Sequence, residues 1–415
     1  KGEADRVCYR CHSILHFSAT NLSNPLGESI SGEDVRQKIP PKANVVHVID
    51  AYDLPASLLY PFDENDFGPN DTIVVNRADL LCGNYREASQ RLRPYALNIL
   101  NAALRSEQMR SRAKALTTAS KTIVSTEILE SRNLPQLSDK QFSRLSGDQQ
   151  TSLLRKQEKH TREDNVHIVS ARKGWGLKEL VRSIPERTFF FGFNNVGKSR
   201  LIRQIISLFN ADLRNKKKDG PGSSFIPGMT REKLKFDVIC GKKVKSIIDL
   251  PGVENSDNVL WKYVKPEMIK QLVAGRILSL KGREHKTIKP GQCLNIGGLI
   301  YVKSDDASLI AWPMIGEQAV LTTIVNSSFE RAKETVLTQT VRGLAVTADT
   351  ARRLALAGDF RVDGGGIDVV VRGVGYVELR ITGKIPEGGA QVSVYVPEGV
   401  NVLARRPISE SLKPV

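Results

Sequence analysis

The sequence has 415 residues, of which 40% are hydrophobic and 26% are charged. That length exceeds one compact core, and the composition is typical of a globular protein rather than a disordered or fibrous one. No run of eighteen apolar residues occurs, which predicts no membrane-spanning helix. Five cysteines are too few for a disulfide scaffold and indicate a reducing compartment. The net charge of +16 favours a polyanionic partner, because neutralising phosphates releases condensed counterions.

Residues 1–30 have no apolar periodicity and carry Cys8 and Cys11. Two cysteines at this spacing supply half of a tetrahedral Zn²⁺ site, so we predict a zinc-finger-like segment. The stretch also matches the haem-attachment pattern C-x-x-C-H, although nothing near Cys8 predicts a haem pocket. A relic that binds no metal is the third interpretation.

Residues 31–275 alternate between apolar strands and helical patterns, which predicts an α/β, doubly wound domain. An insertion of polar, partly helical character is expected at about 86–160. The predicted strands are 43–50, 72–75, 166–169, 188–191, 233–239 and 244–248, and the clearest helix is 198–209. From 276 to 415 the pattern changes to Gly-rich strands at 294–302, 367–381 and 391–403, with helical spacing at 328–358. This predicts a separate C-terminal α+β module.

The strongest motif is a phosphate loop, which fits the pattern G-x-x-x-x-G-K-S/T without deviation. It reads Gly192-Phe193-Asn194-Asn195-Val196-Gly197-Lys198-Ser199. Its backbone N–H groups, together with the start of the following helix, are predicted to hold the phosphates of a nucleotide. Lys198 supplies a charge to the β- and γ-phosphates, and the Ser199 hydroxyl is a predicted ligand of Mg²⁺.

Two motifs at earlier strand ends indicate guanine. Asn76-Arg77-Ala78-Asp79 resembles the N-K-x-D motif of GTPases, in which one carboxylate accepts two N–H groups of the base. Adenine offers no such pair of donors, so Asp79 selects GTP over ATP. Arg77 replaces the usual Lys, and we expect its stem and planar head to cover the base. Ser170-Ala171-Arg172 resembles the S-A-K/R loop, whose backbone contacts guanine O6.

Two further positions complete the predicted phosphate site. Asp249-Leu250-Pro251-Gly252 resembles the D-x-x-G motif, in which Asp249 holds Mg²⁺ through water and the Gly252 N–H faces the γ-phosphate. Thr230 is predicted to close on the metal when GTP is bound. We therefore expect Lys198, Thr230 and Gly252 to serve catalysis. An ATP-dependent enzyme, with the Asp79 motif accidental, stays open as an alternative.

The order of these motifs is unusual, because the base motifs precede the phosphate motifs. In this the chain resembles the circularly permuted GTPases, and most closely their YqeH type. Cys8-Tyr9-Arg10-Cys11, the run from Val45 to Asp53, and the C-terminal stretches 367–376 and 394–400 carry the likeness. The resemblance implies a GTPase that assists assembly of the small ribosomal subunit, with zinc held by an N-terminal cysteine cluster.

Two residues refine the expected mechanism. Val253 stands where well-known GTPases place a Gln that orients water, so unaided hydrolysis should be slow. Asn195 stands where potassium-dependent GTPases hold K⁺, so we expect potassium or the ribosome to assist. An RNA-binding assembly chaperone that holds guanine nucleotide structurally, with little hydrolysis, is the alternative function.

The expected partners are rRNA and a small-subunit precursor, together with ribosomal proteins and other assembly factors, bound by a monomer. Lys and Arg outnumber Asp and Glu between 200 and 245, beside the switch Thr, and further cations lie at Arg91, Arg93, Arg105, Arg110, Arg112, Lys114, Arg405 and Arg406. GTP is expected to reposition the C-terminal module through the D-x-x-G segment. The basic balance and the start at Lys1 favour the mitochondrial matrix, with bacterial cytoplasm or plastid stroma as alternatives.

Overall fold

A computed structural model describes residues 32–58, 71–102, 165–210, 233–253, 263–265, 268, 272, 284–315 and 321–412. Cys8, Cys11, Thr230, most of the predicted insertion and the Lys-rich loop before Thr230 lie outside these residues. None of the helices within the described ranges has both the length and the hydrophobicity of a membrane span.

The first domain is built on a six-stranded sheet with the strand order β3-β2-β1-β4-β6-β5. All neighbouring strands are parallel except β5 and β6, which form an antiparallel hairpin. The central strands are apolar along their length because both faces of the sheet are covered. The bounds are β1 Asn44–Asp50, β2 Thr72–Asn76, β3 Val166–Ile168, β4 Arg187–Phe191, β5 Leu234–Cys240 and β6 Lys243–Asp249. Every strand predicted for this domain is therefore confirmed.

Helices cover both faces, as a doubly wound domain requires. They are α1 Gly32–Arg36, α2 Tyr85–Glu87, α3 Leu177–Ser183 and α4 Lys198–Phe209, with a 3₁₀ turn at Ala78–Leu80. Val46 and Val48 of β1 pack with α3 and α4, whereas Ile49 faces the opposite side. There it packs with a helical segment that continues from α2 through π-helical Ala88–Leu92 to residue 102. This segment belongs to the core, although the sequence places it in the insertion.

The C-terminal module contains two five-stranded antiparallel sheets, ordered β16-β13-β14-β10-β7 and β11-β8-β9-β15-β12. Its strands are β7 Lys286–Ile288, β8 Cys293–Ile296, β9 Ile300–Ser304, β10 Ser308–Ile315, β11 Thr323–Asn326, β12 Leu354–Val362, β13 Ile367–Val371, β14 Gly375–Thr382, β15 Ala390–Pro397 and β16 Val402–Arg405. Its helices are α5 Phe329–Leu337, α6 Ala348–Arg352 and α7 Ile408–Ser411. The predicted helical spacing up to 358 is wrong from Leu354 onward, because pairing with β15 overrides the high helix propensity of Leu and Ala.

The module packs directly against the α/β domain. Met314, Val370 and Tyr376 share one buried cluster with Ile49 and Leu54. Arg405, predicted among the RNA-binding cations, is only 5% exposed in this contact. That part of the RNA prediction is wrong, since a buried guanidinium does not meet phosphates from solution.

Candidate nucleotide-binding site

The phosphate loop lies between β4 and α4, at the carboxyl edge of the parallel sheet. Gly197 has a positive φ of 85° and is the N-cap of α4, so the helix begins at Lys198. A Cβ added to Gly197 would lie 2.5 Å from the Asn76 amide nitrogen, and one added to Gly192 would lie 2.5 Å from the Val48 carbonyl oxygen. Only glycine therefore permits this close approach between the loop and the neighbouring strands.

One buried side chain, that of Asn76, joins three of the four motifs. Asn76 ends β2, and its Nδ2 donates to the Val196 carbonyl of the phosphate loop at 3.0 Å. Its Oδ1 accepts the backbone N–H of Ala171 at 3.2 Å. Residues that lie 120 positions apart in the chain are thus in direct contact.

Arg77 makes a second link to the phosphate loop. It has a positive φ of 65°, and its NH2 donates to the Asn195 carbonyl at 2.5 Å. Its NH1 donates to Asp50 Oδ2, also at 2.5 Å. The guanidinium therefore joins the end of β1 to the phosphate loop, and covering of a base by the Arg77 stem and head stays a prediction. Sequence reasoning missed Asp50, although a carboxylate at the end of a strand beside β2 was an available signal.

The two links orient the phosphate loop. The carbonyl and N–H of a trans peptide point in opposite directions. Because Arg77 and Asn76 hold the carbonyls of Asn195 and Val196, the N–H groups of Val196 and Gly197 face away from these side chains. Successive N–H groups turned the same way form a concave anion-binding surface.

Asp79 lies in the 3₁₀ turn that follows β2 and is held by the third motif. Ser170 Oγ donates to Asp79 Oδ1 at 2.6 Å, and Ser170 Oγ accepts the backbone N–H of Lys173 at 3.0 Å. These bonds hold the Asp79 carboxylate against the loop that contains Ser170, Ala171 and Arg172. The next residue after buried Ala171, Arg172, is exposed to solvent.

The phosphate end of the site pairs a buried lysine with a buried carboxylate. Lys198 Nζ donates to Asp249 Oδ1 and to the Leu250 carbonyl, and Lys198 is only 5% exposed. Burial lowers the pKa of Lys198, and the neighbouring Asp249 acts against that shift. Ser199 Oγ lies 3.4 Å from Asp249 Oδ2. A hydroxyl beside a carboxylate is a hard oxygen donor set that fits Mg²⁺.

The D-x-x-G segment is bound to the phosphate loop through its backbone. Val253 N–H donates to the Gly192 carbonyl, and Asn194 N–H donates to the Val253 carbonyl, both at 3.1 Å. The Val253 side chain is 2% exposed and packs in a core cluster, so it does not reach the site.

The side chain of Asn194 could bind an anion between the phosphate loop and the D-x-x-G segment. It lies directly against Gly252, because a Cβ added to Gly252 would lie 2.0 Å from Asn194 Oδ1. Asn194 Nδ2 is buried with no hydrogen-bond partner among the described residues, and such a donor suits a phosphate oxygen. Asn195 has a positive φ of 66°, and potassium binding by Asn195 stays a prediction.

Two family models match parts of the chain. Residues 187–287 match the family described as 50S ribosome-binding GTPase, and residues 363–414 match the C-terminal domain of genetic interactor of prohibitins 3. The first match contains the phosphate loop and the D-x-x-G motif. It supports a P-loop GTPase-type domain, which implies binding of GTP or GDP with Mg²⁺.

Curated relatives include proteins named "Genetic interactor of prohibitins 3, mitochondrial". The relative from Clavispora lusitaniae is 26% identical over 60% of this chain and 47% of its own length. The relative from Debaryomyces hansenii is 21% identical over 99% of this chain and 66% of its own length. The chain thus spans less than two thirds of either relative. The names support the mitochondrial location predicted from the sequence.

Among solved structures, YjeQ from Thermotoga maritima matches with a TM-score of 0.22 and 16% identity, over 55% of this chain and 53% of that one. This TM-score is too low to establish a shared fold.

Proposed function

We propose that the chain is a circularly permuted GTPase that acts as an assembly factor for the small ribosomal subunit in the mitochondrial matrix. Two hydrogen bonds support the proposal that the chain binds a guanine nucleotide. They run from Asn76 to the Val196 carbonyl and from Arg77 to the Asn195 carbonyl. They bring the guanine motif against the phosphate loop, as one bound nucleotide requires.

The order of motifs supports the permutation. Along the chain the base motifs at 76–79 and 170–172 precede the phosphate loop at 192–199 and the D-x-x-G motif at 249–252. In the sheet, β4 nevertheless lies between β1 and β6, so the phosphate loop is central. The match to the GTPase family begins at 187, after both base motifs.

The proposed hydrolysis uses the phosphate loop and the D-x-x-G segment, which are in contact, together with Thr230, which lies outside the described residues. Lys198 and the N–H groups of the phosphate loop would bind the β- and γ-phosphates, Ser199 would ligate Mg²⁺, and Asp249 would hold the metal through water. The metal, when bound, neutralises charge that develops on the phosphates. Asn194 Nδ2 and the Gly252 N–H would add donors near the γ-phosphate. Thr230 would close on the metal and the γ-phosphate when GTP is bound, and Asn195 would hold K⁺.

A second function is favoured by the position of Val253. Its side chain is buried in the core, so no side chain at this position orients an attacking water. On this alternative the protein is an RNA-binding assembly chaperone that holds guanine nucleotide structurally and scarcely hydrolyses it.

Steady-state phosphate release from GTP separates the two functions. We expect slow turnover in sodium, faster turnover in potassium, and a further increase when small-subunit particles are added. Asn195→Ala should remove the potassium effect and keep GDP binding. Turnover that stays at the background rate in potassium with particles present would favour the structural role of the nucleotide.

The proposed rRNA contact rests on the exposed lysines of the β5–β6 hairpin, Lys233, Lys235, Lys242 and Lys243. The matching family is named for binding the 50S subunit, whereas the YqeH-type resemblance implies the small one. Sedimentation of tagged protein with both mitochondrial subunits, with GDP and with a non-hydrolysable GTP analogue, tests this choice. Co-sedimentation with the large subunit alone would reject the small-subunit assignment. Zinc analysis of the full-length protein tests the proposed role of Cys8 and Cys11.

A further inference from the structure

Residues 50–57, here called the 50–57 loop, lie between the nucleotide site and the C-terminal module. On the nucleotide side, Asp50 Oδ2 accepts a hydrogen bond from the guanidinium of Arg77, which also donates to the Asn195 carbonyl. Within the loop, Tyr52 N–H donates to Asp50 Oδ1 at 3.1 Å, and Asp50 N–H donates to Ser57 Oγ at 3.0 Å. The position of the Asp50 carboxylate therefore depends on the conformation of this loop.

The C-terminal module holds the other side of the loop. Arg405 of β16 donates to the Leu54 carbonyl and, at 3.4 Å, to the Tyr52 carbonyl. Asp53 Oδ2 accepts the backbone N–H of Gly373 at 3.0 Å. Arg405 is itself fixed, because it pairs with buried Asp368 at 3.0 Å. Its guanidinium also lies 4.6 Å from the centroid of the Tyr376 ring.

The module also contacts the phosphate loop directly. Arg372, in the turn between β13 and β14, has its guanidinium carbon 5.6 Å from the ring centroid of Phe193. Phe193 is the second residue of the phosphate loop. The β13–β14 turn thus lies against both the 50–57 loop and the phosphate loop.

We propose that the C-terminal module positions the phosphate loop for nucleotide binding through one chain of contacts, here called the relay. The relay consists of Arg405, the 50–57 loop, Arg77 and the Asn195 carbonyl. Arg405 and Asp50 are its positioning residues. The inference rests on the proposed function to the extent that a nucleotide binds at this loop.

The relay has a consequence that distinguishes it from coupling through the D-x-x-G segment. The Asn195–Val196 peptide belongs to the part of the loop that surrounds the β-phosphate, which GDP and GTP share. Coupling by this route acts equally for both nucleotides, and it is reciprocal, so either nucleotide stabilises docking of the module. Coupling through D-x-x-G would respond to GTP alone.

Equilibrium titration with fluorescent GDP and with a non-hydrolysable GTP analogue tests the relay. Arg405→Lys keeps the charge near Asp368 but loses the planar fork that reaches two carbonyls. We expect this variant and Asp50→Asn each to raise the Kd about tenfold for both nucleotides. The double variant should bind no more weakly than the weaker single one, because both break the same chain. Multiplying effects would overturn the relay.

The matched control is Arg361→Lys, the same change on the other sheet of the module. Arg361 of β12 also donates to a backbone carbonyl, that of Gly388, and contacts no residue of the relay among the described residues. It should bind nucleotide as the unmodified protein does. Far-ultraviolet circular dichroism establishes that each variant is folded at the titration temperature, so a loss of affinity is not a loss of folded protein.

Hydrogen exchange of residues 371–376 supplies a readout that keeps the proposal testable even where Arg405→Lys does not fold. GDP and the GTP analogue should slow this exchange equally in the unmodified protein, and neither should do so in Asp50→Asn. Slowing by the GTP analogue alone would overturn the relay. Absence of nucleotide binding by the unmodified protein would overturn the proposed function as well, whereas binding unchanged by both variants would overturn only the relay.

Discussion

Replacing Asn76 with Ala tests how strongly the base motif and the phosphate loop depend on each other. The change removes two hydrogen bonds of a side chain that is 1% exposed, to the Val196 carbonyl and from the Ala171 N–H. Leaving a buried polar group unpaired costs about 1–3 kcal/mol. If this cost is lost from the free energy of GDP binding, the Kd for GDP rises by about 5- to 150-fold.

Isothermal titration with GDP measures this effect. Asn44→Ala is the matched control, because Asn44 Nδ2 also donates across the sheet, to the Arg187 carbonyl at 3.3 Å, but near the opposite edge. We expect the control to bind GDP like the unmodified protein. A folded Asn76→Ala protein whose Kd stays within about twofold of the original value would refute the reasoning.

Three further predictions address stability, pH and hydrolysis. In a urea titration, Lys245→Met should lower the free energy of unfolding by about 2–3 kcal/mol, because Lys245 Nζ donates to three carbonyls at the end of α3. The control Lys243→Met changes a side chain that is 69% exposed and should lower it by less than about 1 kcal/mol. Burial raises the pKa of Asp53 from 3.8 to about 6. The buried carboxyl is therefore favoured in its neutral form, and the stability that this form gives the folded state is fully present below pH 4 and is lost as the pH rises through 6. Asp53→Asn should therefore exceed the original stability by up to about 3 kcal/mol at pH 7 and by little at pH 4, and a pH-independent difference would contradict this. Val253→Gln should not accelerate GTP hydrolysis, because this side chain lies in the core; faster phosphate release would show that it reaches the site.

Local patterns predicted the strands and α4 well, because apolar runs and a phosphate loop leave the backbone few alternatives. The helix observed at Lys198–Phe209 has the predicted bounds. The same patterns failed at 354–358, where Leu and Ala favour a helix but β15 offers a partner strand.

Contacts between distant parts of the chain were not predictable. Arg405 and Leu54 are 351 residues apart, and neither has a local signal for the other. The contact between Arg77 and Asp50 was missed for the same reason, since Asp50 lies on another strand. The sequence motifs indicate which residues belong to the candidate site. The contacts that position these residues, such as that of Arg405 with Leu54, depend on packing of the C-terminal module and have no sequence motif.

The base preference of Asp79→Asn shows whether Asp79 and the phosphate loop bind one and the same guanine nucleotide. The Asn side chain cannot accept two N–H groups of guanine, but its amide can donate to the 2-oxo group of xanthine and accept its N1–H. We predict that the Kd for GDP rises by at least about tenfold and that the variant binds XDP more tightly than GDP. A variant that binds GDP with the original affinity and ignores XDP would show that Asp79 and Lys198 do not bind the same nucleotide.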